Sequence, residues 1–352
     1  MSKIDTLWYT RCPVPTPLGI AAQQGLIEEE FAKDGIQVRT LQDVTDPNLR
    51  DSHYDHTLEN SFRQGGNIPA IWARATGRAT RVVGLTWTDE AQVILTLPKN
   101  KLRTVGDLKG KRLGVLTNPN IKIDFWRATT LRAYVAALKL EGLSDKDVKL
   151  VDFARTDTPV AGTRGWGQGD PKKSPEVAAL LNGDVDAIFH KGSRGLEIAK
   201  AIGAEIVFDL GKHPDPKVRV NNGSPRTLTV DAGLLDKHPD LAVRLVKRVL
   251  AAGRWAEQNP KEALSYVARE TGSTEEAVAL AYGKDVGSHL QTDLLESSIA
   301  ALSDFKDFLL AWEFLPHDFD VRSWIDPYPL TQAKKELDQR QKVESDQRSA
   351  AL

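Results

Sequence analysis

The stretch DLKGKRLGV at residues 107–115 is a polar turn that leads directly into an apolar strand. A helical pattern follows from about Ala128 to Glu141, and a second strand is predicted from Val148 to Phe153. A helix between two consecutive strands is the usual connection between parallel neighbours, because it returns the chain to the starting end of the sheet. This stretch therefore predicts an α/β protein with parallel sheets.

The same alternation extends outward on both sides of this stretch. Further strands are predicted at residues 7–11, 36–38, 81–85, 91–97, 186–189 and 206–208, and helices alone follow Pro239. Two α/β units followed by a helical region suit a protein with two lobes and a ligand cleft between them.

The lobes are expected to be discontinuous in sequence. Lobe I is predicted to comprise residues 1–97 and 215–330, the latter with the C-terminal helices, and lobe II residues 98–214. A glycine-rich loop over 155–174 is a candidate lid. Residues 331–352 are rich in charged side chains and are expected to form a mobile tail.

Composition narrows the classes of partner and site. Of the 352 residues 27% are charged, and the formal net charge of −1 gives no reason to expect nucleic acid or an anionic membrane as partner. The single cysteine excludes an intrachain disulfide and a cysteine-built metal centre. The histidines after residue 189 lack metal-ligand spacing, so no metal site is expected.

The amino-terminal residues and the hydropathy pattern bear on location. The opening MSKID leads straight into a strand and shows neither the apolar segment nor the cleavage site of a secretory signal. No apolar stretch approaches the roughly eighteen residues that span a bilayer. We therefore expect a cytoplasmic protein that inserts into no membrane.

The only cysteine, Cys12, stands in the run LWYTRCPVP at residues 7–15, where an apolar strand ends and two prolines stiffen the exit toward a helix. Ligands of open α/β sheets bind beyond the carboxyl ends of strands, which is where this thiol falls. Two interpretations remain open at this point. Cys12 is either a catalytic thiol or a small buried hydrophobe.

Three further motifs resemble a known family. The runs DLKGKRLGV (107–115), ALLNGDVDA (179–187) and NPKEA (259–263) are similar to those of the periplasmic-binding-protein-like proteins, which include sulfonate, taurine and nitrate receptors. The resemblance covers roughly residues 5 to 325. It implies a two-lobed type II fold whose cleft binds a small organic anion such as a sulfinate or sulfonate, and we expect a monomer.

Within that family, the amino-terminal motifs resemble those of the hydroxybiphenyl sulfinate desulfinases. The matching runs are YTRCPVP (9–15), His53-Tyr54 and RQGGNIP (63–69), with His53 and Arg63 ten residues apart. The resemblance implies that Cys12, His53 and Arg63 are catalytic, with Arg63 holding the sulfinate. It implies a substrate-binding role for Gly66, whose backbone amide would face the sulfinate, and for the pocket aromatic Trp126.

The chemistry of these residue types agrees with that assignment. The planar fork of Arg63 suits two oxygens of one acidic group, and His53 can move the proton of Cys12. The pair Gly65-Gly66 opens a predicted helix and lets backbone amides approach an anion, so both glycines are candidate substrate-binding residues. Each also has an ordinary interpretation, as a solvated arginine, a surface histidine equivalent to its neighbour His56, or a common glycine turn.

Three functions remain to be compared. The first is a cofactor-independent enzyme that cleaves a carbon–sulfur bond and releases sulfite, with Cys12 either attacking sulfur or protonating carbon. The second is a non-catalytic solute-binding protein of the transporter type for a sulfonate, sulfinate or related anion. The third, a thiamin-pyrimidine synthase of the same fold, requires a cysteine-rich motif that one cysteine cannot provide. The loop at 156–174 matches the desulfinases poorly, so the identity of the substrate stays open.

Overall fold

A computed structural model of the chain describes residues 4–155 and 173–350. The first of two five-stranded sheets contains β1 (Thr6–Arg11), β2 (Gln37–Thr40), β3 (Ser61–Gly65), β4 (Thr80–Thr86) and β10 (Arg226–Asp231). Their order across the sheet is β2-β1-β3-β10-β4, with β10 antiparallel to both neighbours. The sheet is therefore mixed, where the sequence predicted a parallel one.

The second sheet contains β5 (Gln92–Thr96), β6 (Arg112–Thr117), β7 (Lys149–Ala154), β8 (Ala187–Lys191) and β9 (Glu205–Asp209), in the order β7-β6-β8-β5-β9. Here β5 is the antiparallel strand. The chain thus crosses from the first sheet to the second over residues 87–91. Residues 92–97 were predicted to belong to lobe I, which is wrong, because an apolar strand carries no local signal of the sheet that it joins.

Helices cover the faces of both sheets. The helices that precede β9 in the chain are α1 (Pro17–Gln23), α2 (Leu26–Ala32), α3 (Pro47–Asp55), α4 (Asn67–Ala75), α5 (Phe125–Leu140), α6 (Pro175–Asn182) and α7 (Gly192–Ile202). The others are α8 (Pro216–Arg219), α9 (Ala232–Lys237), α10 (Pro239–Gln258), α11 (Pro260–Thr271), α12 (Glu275–Tyr282), α13 (Glu296–Ala311), α14 (Val321–Trp324) and α15 (Tyr328–Ala350). The core lies between sheets and helices, as where Leu7 of β1, Ile20 of α1 and Val246 of α10 are buried in one cluster. No helix among the described residues has the length and apolar character needed to cross a membrane.

The carboxyl-terminal segment is a helix, so the prediction of a mobile tail from residue 331 is wrong. The helix α15 packs along α10 and buries Leu330 and Ala333. Lys247 Nζ lies 2.6 Å from a carboxylate oxygen of Glu336, across the same contact. The many charged residues of the segment hid a sparse apolar stripe at helical spacing. The loop proposed as a lid falls, from residue 156 to 172, outside the described residues.

Two elements that the sequence pattern did not predict place functional side chains. One is α3, inside a stretch interpreted only as polar, although the side chain of Asp46 accepts a hydrogen bond from Asn48 N and Pro47 begins the helix. The other is β10, whose alternation of Thr and apolar residues is buried on both faces. By contrast, the helix expected after the two prolines is confirmed. It begins at Pro17, and its N-cap Thr16 accepts a hydrogen bond from Gly19 N at 3.0 Å.

Candidate active site

Cys12 follows β1 directly and lies at the carboxyl edge of the first sheet. Its backbone N–H donates to the carbonyl of Gln64 at 3.1 Å, which continues the pairing of β1 with β3 by one residue. A Cβ atom built on Gly65 would lie 2.3 Å from the Cys12 sulfur. Gly65 therefore makes room for the thiol. It is not among the residues that line the cavity described below, so its substrate-binding role stays a prediction.

Arg63 contacts the other two predicted catalytic residues, Cys12 and His53. It lies in β3, its side chain is 2% exposed, and its strand register places it beside Thr10 of β1. Its Nε donates to the carbonyl of His53 at 2.8 Å, Nη1 donates to the carbonyl of Gly66 at 2.9 Å, and Nη2 lies 3.4 Å from the Cys12 sulfur. A buried guanidinium so placed supports negative charge on the sulfur.

His53 is on the last turn of α3 and approaches the thiol from the other side. Its Nε2 lies 3.5 Å from Cys12 Sγ, and its Nδ1 lies 2.7 Å from Thr10 Oγ1. Burial first, then the charge of Arg63, holds the pKa of His53 well below its ordinary value. The imidazole is therefore neutral near pH 7, with one ring nitrogen able to donate a proton and the other able to accept one. Thr10, His53 and Cys12 thus form a short relay for a proton.

His56, which composition alone could not distinguish from His53, faces elsewhere. Its Nε2 lies 3.2 Å from the hydroxyl of Thr229 in β10, and its Nδ1 lies 3.3 Å from the carbonyl of Tyr54. Arg11 is likewise directed away, because its Nε pairs with Glu270 at 2.7 Å. The positive charge of Arg11, next to Cys12 in the sequence, is therefore compensated by Glu270.

The amino terminus of α4 is occupied by protein. Gly66 is its N-cap, and the first two helical amides, those of Asn67 and Ile68, donate to the backbone carbonyl and the side-chain oxygen of Asn222 at 2.9 and 3.0 Å. A Cβ on Gly66 would lie 2.5 Å from that side-chain oxygen. The helical amides of Asn67 and Ile68 are therefore not open to an anion, since Asn222 caps them, and the substrate contact expected of the Gly66 amide stays a prediction.

A cavity of about 210 Å³ lies between the two lobes and contains this site. Cys12, His53, Arg63 and Gly66 line it from the first lobe. From the second lobe it is lined by three aromatic side chains, Phe125, Trp126 and Phe189. The ring centroids of Phe125 and Trp126 are 4.9 Å apart. The structure thus places Trp126, predicted from sequence, on a wall of the same cavity as the thiol.

Sequence reasoning missed several residues of this cavity. Tyr54, the neighbour of His53, is 3% exposed, and its hydroxyl has no hydrogen-bond partner among the described residues. Its ring meets that of His53 edge-on at 5.1 Å and stacks on Phe125 at 6.0 Å. Asn222 and the charged residues Glu90, Lys191 and Arg226 also line the cavity. Only the position of Tyr54 beside His53 offered a local signal.

The chain is similar in sequence and in fold to proteins of known activity. No family model matches the chain. It is 28% identical over 351 residues, 92% of each chain, to a 2'-hydroxybiphenyl-2-sulfinate desulfinase of Rhodococcus erythropolis. Among solved structures, a cysteine-to-serine variant of the desulfurization enzyme DSZB in complex with biphenyl-2-sulfinic acid superposes with a TM-score of 0.75 at 26% identity, covering 95% of this chain and 100% of that one.

Transport proteins share the fold. The alkanesulfonate-binding protein SsuA of Xanthomonas axonopodis pv. citri, bound to MOPS, superposes with a TM-score of 0.65 at 18% identity, covering 93% of this chain and 99% of that one. At that identity the likeness concerns the fold alone. The chain thus has the two-lobed fold of the periplasmic-binding-protein-like proteins and, over nearly its whole length, resembles the hydroxybiphenyl sulfinate desulfinases.

Proposed function

We propose that this protein is a desulfinase-like enzyme that converts an organic sulfinate and water into R–H and hydrogen sulfite, without a cofactor. The observation that carries the proposal is the thiol of Cys12, in a cavity between the lobes and in contact with both His53 Nε2 at 3.5 Å and Arg63 Nη2 at 3.4 Å. Binding an anion needs the cation, but it does not need the thiol or a neutral imidazole beside it.

The sulfinate is proposed to bind at Arg63. Beyond the contacts to His53, Gly66 and Cys12, the guanidinium has one further N–H on each terminal nitrogen. These two donors suit the two oxygens of one sulfinate. Held there, the substrate sulfur and the carbon attached to it lie beside Cys12, while the aromatic wall of Phe125, Trp126 and Phe189 packs against the organic group.

Two reaction routes use these contacts. In one, the Cys12 thiolate attacks the sulfinate sulfur, the carbon–sulfur bond breaks, the carbon takes a proton, and water then releases sulfite from the cysteine. In the other, the Cys12 thiol protonates the carbon directly, sulfur dioxide leaves, and water hydrates it to hydrogen sulfite. His53, with Thr10 behind it, moves the proton in both routes. Only the first route forms a covalent adduct on Cys12, which acid quenching and mass spectrometry of the protein would detect.

The proposal is tested by sulfite release. Purified protein is incubated with a panel of aryl and alkyl sulfinates, and sulfite is measured together with the desulfinated product. We expect release from at least one aryl sulfinate, in equal amounts with R–H. Tight binding of a sulfinate without release from any member of the panel would favour the alternative function, a solute-binding protein, which the shared fold of SsuA supports. The cytoplasmic location expected from the sequence stays a prediction.

Tyr54 is proposed to donate a hydrogen bond to the bound sulfinate, because a buried hydroxyl without a partner is uncommon. We expect Tyr54→Phe to leave the melting temperature unchanged or raised, since the ring contacts with His53 and Phe125 remain. Loss of one hydrogen bond to the sulfinate anion should lower kcat/KM roughly ten- to hundredfold, because the acceptor is charged. The matched control is Tyr134→Phe, whose buried hydroxyl donates to Gly114 O at 2.8 Å. That variant should lose stability and keep its activity. If Tyr54→Phe instead lost stability and kept its activity, Tyr54 would not belong to the site.

A further inference from the structure

The cavity contains a charged group that the proposed reaction does not use. Glu90 lies in the segment that crosses between the lobes, Lys191 is the last residue of β8, and Arg226 is the first residue of β10. The three therefore come from the crossing segment, the second lobe and the first lobe. Glu90 is 2% exposed and Arg226 is completely buried. Lys191 is partly exposed, with 24% of its side-chain surface accessible. Burying the charges of Glu90 and Arg226 is costly unless they are paired, so the arrangement needs an explanation.

The pairing leaves one positive charge over. Lys191 Nζ lies 2.5 Å from Glu90 Oε1, and Arg226 Nη2 donates to Glu90 Oε2 at 3.2 Å. Although burial opposes it, the two cations hold the pKa of Glu90 below its ordinary value. One carboxylate thus serves two cations. In addition, Arg226 Nε has no hydrogen-bond partner among the described residues.

The surroundings of this group add to the positive potential. Glu90 is the one acidic side chain among the described residues that line the cavity, whereas Arg63 lines it as well as Lys191 and Arg226. Arg194 also lines the cavity, but its Nη1 lies 3.8 Å from a carboxylate oxygen of Glu197, so it adds no excess charge. The eleven-residue helix α7 begins at Gly192, directly after Lys191, with its amino terminus in the cavity wall. The first amide of α7, that of Gly192, already donates to the carbonyl of Ala91 at 2.7 Å, so the helix contributes only the partial positive charge of its amino terminus.

We propose that Lys191 and Arg226 form a second anion subsite in this cavity. If Arg63 holds the sulfinate, as the proposed function requires, the substrate is an organic sulfinate that carries a second acidic group, such as a carboxylate. The excess cationic charge matches a dianion, and a purely apolar biaryl group would leave it uncompensated. Charge complementarity at this subsite thereby selects among sulfinates that Arg63 and Cys12 treat alike.

The test compares non-reactive probes by isothermal titration calorimetry. Benzenesulfonate and the ortho, meta and para isomers of sulfobenzoate are titrated into wild-type protein and into Lys191→Met. This variant keeps the aliphatic stem of the side chain and the Glu90–Arg226 pair. We expect wild type to bind one isomer at least tenfold more tightly than benzenesulfonate, the range of a charge-assisted hydrogen bond. In Lys191→Met this ratio should fall to about one. Lys212→Met is the matched control, since that lysine is exposed and does not line the cavity.

The outcomes separate this subsite from the proposed reaction. A wild-type protein with no preference for any carboxylated isomer, or a preference that survives in well-folded Lys191→Met, overturns the subsite. Sulfite release from benzenesulfinate and from the three isomers of carboxybenzenesulfinate is measured in parallel. This measurement tests the proposed desulfinase reaction independently of the subsite. Selective binding of a carboxylated probe without sulfite release from any sulfinate supports the subsite and contradicts the desulfinase function.

Discussion

Cys12→Ser is expected to abolish sulfite release while the protein folds and still binds a non-reactive sulfonate. The exchange of sulfur for oxygen changes the side-chain volume little, but the alcohol stays protonated near neutral pH and is a poor nucleophile and proton donor to carbon. The contacts of Arg63 to His53 and Gly66 do not involve the sulfur and should persist. The measurement is the rate of sulfite release beside the dissociation constant of the sulfonate.

This variant also decides between the two classes of function. The chain has one cysteine, so no other thiol can supply residual activity. A cysteine-to-serine variant of DSZB has been crystallised with biphenyl-2-sulfinic acid, which indicates that this exchange is compatible with folding and ligand binding in the relative. Sulfite release that persists in Cys12→Ser would exclude both reaction routes. Loss of sulfonate binding would instead assign Cys12 to the binding surface.

Arg63→Lys is expected to reduce kcat/KM by roughly ten- to hundredfold, which corresponds to the loss of one charge-assisted hydrogen bond of about 1.5–3 kcal/mol. An ammonium is a point charge and cannot reproduce a planar fork that contacts His53, Gly66 and Cys12 at once. Stability should fall too, because each buried carbonyl left without its donor costs about 1–3 kcal/mol.

The control for this variant is Arg78→Lys, at an exposed arginine of the same lobe. It should change neither the kinetics nor the melting temperature. For Arg63→Lys, steady-state kinetics at a temperature well below its melting transition separate the loss of function from the loss of stability. Unchanged kinetics would place Arg63 outside the site and leave it only the structural role of bridging α3 and α4.

The parts of the fold that sequence predicted well have local causes. The strand before Cys12, the helix after the two prolines and the helix after Gly66 each depend on a few neighbouring residues. The helix α15 and the strand β5 were placed wrongly for the opposite reason. Whether a charged helix packs on α10, or which sheet an apolar strand joins, depends on surfaces distant in sequence.

The site divides in the same way. Cys12, His53 and Arg63 could be found because three short runs contain them, and the structure brings all three residues together. The capping of α4 by Asn222 could not be found, since it joins residues about 150 positions apart. Glu90 and its two cations are separated by 101 and 136 positions, and each alone has the appearance of an ordinary charged residue.

Gly65 under the sulfur has a practical consequence. Backbone lies close to the thiol on that side, the side chain is 8% exposed, and Cys12 lines the cavity, so we expect a reagent to reach the thiol from the cavity. Since the chain has no second thiol, each molecule can be alkylated on one cysteine only, and the extent of labelling equals the fraction of molecules whose Cys12 is accessible. The rate at which Cys12 is labelled should therefore fall when a ligand occupies the cavity, whether or not that ligand reacts.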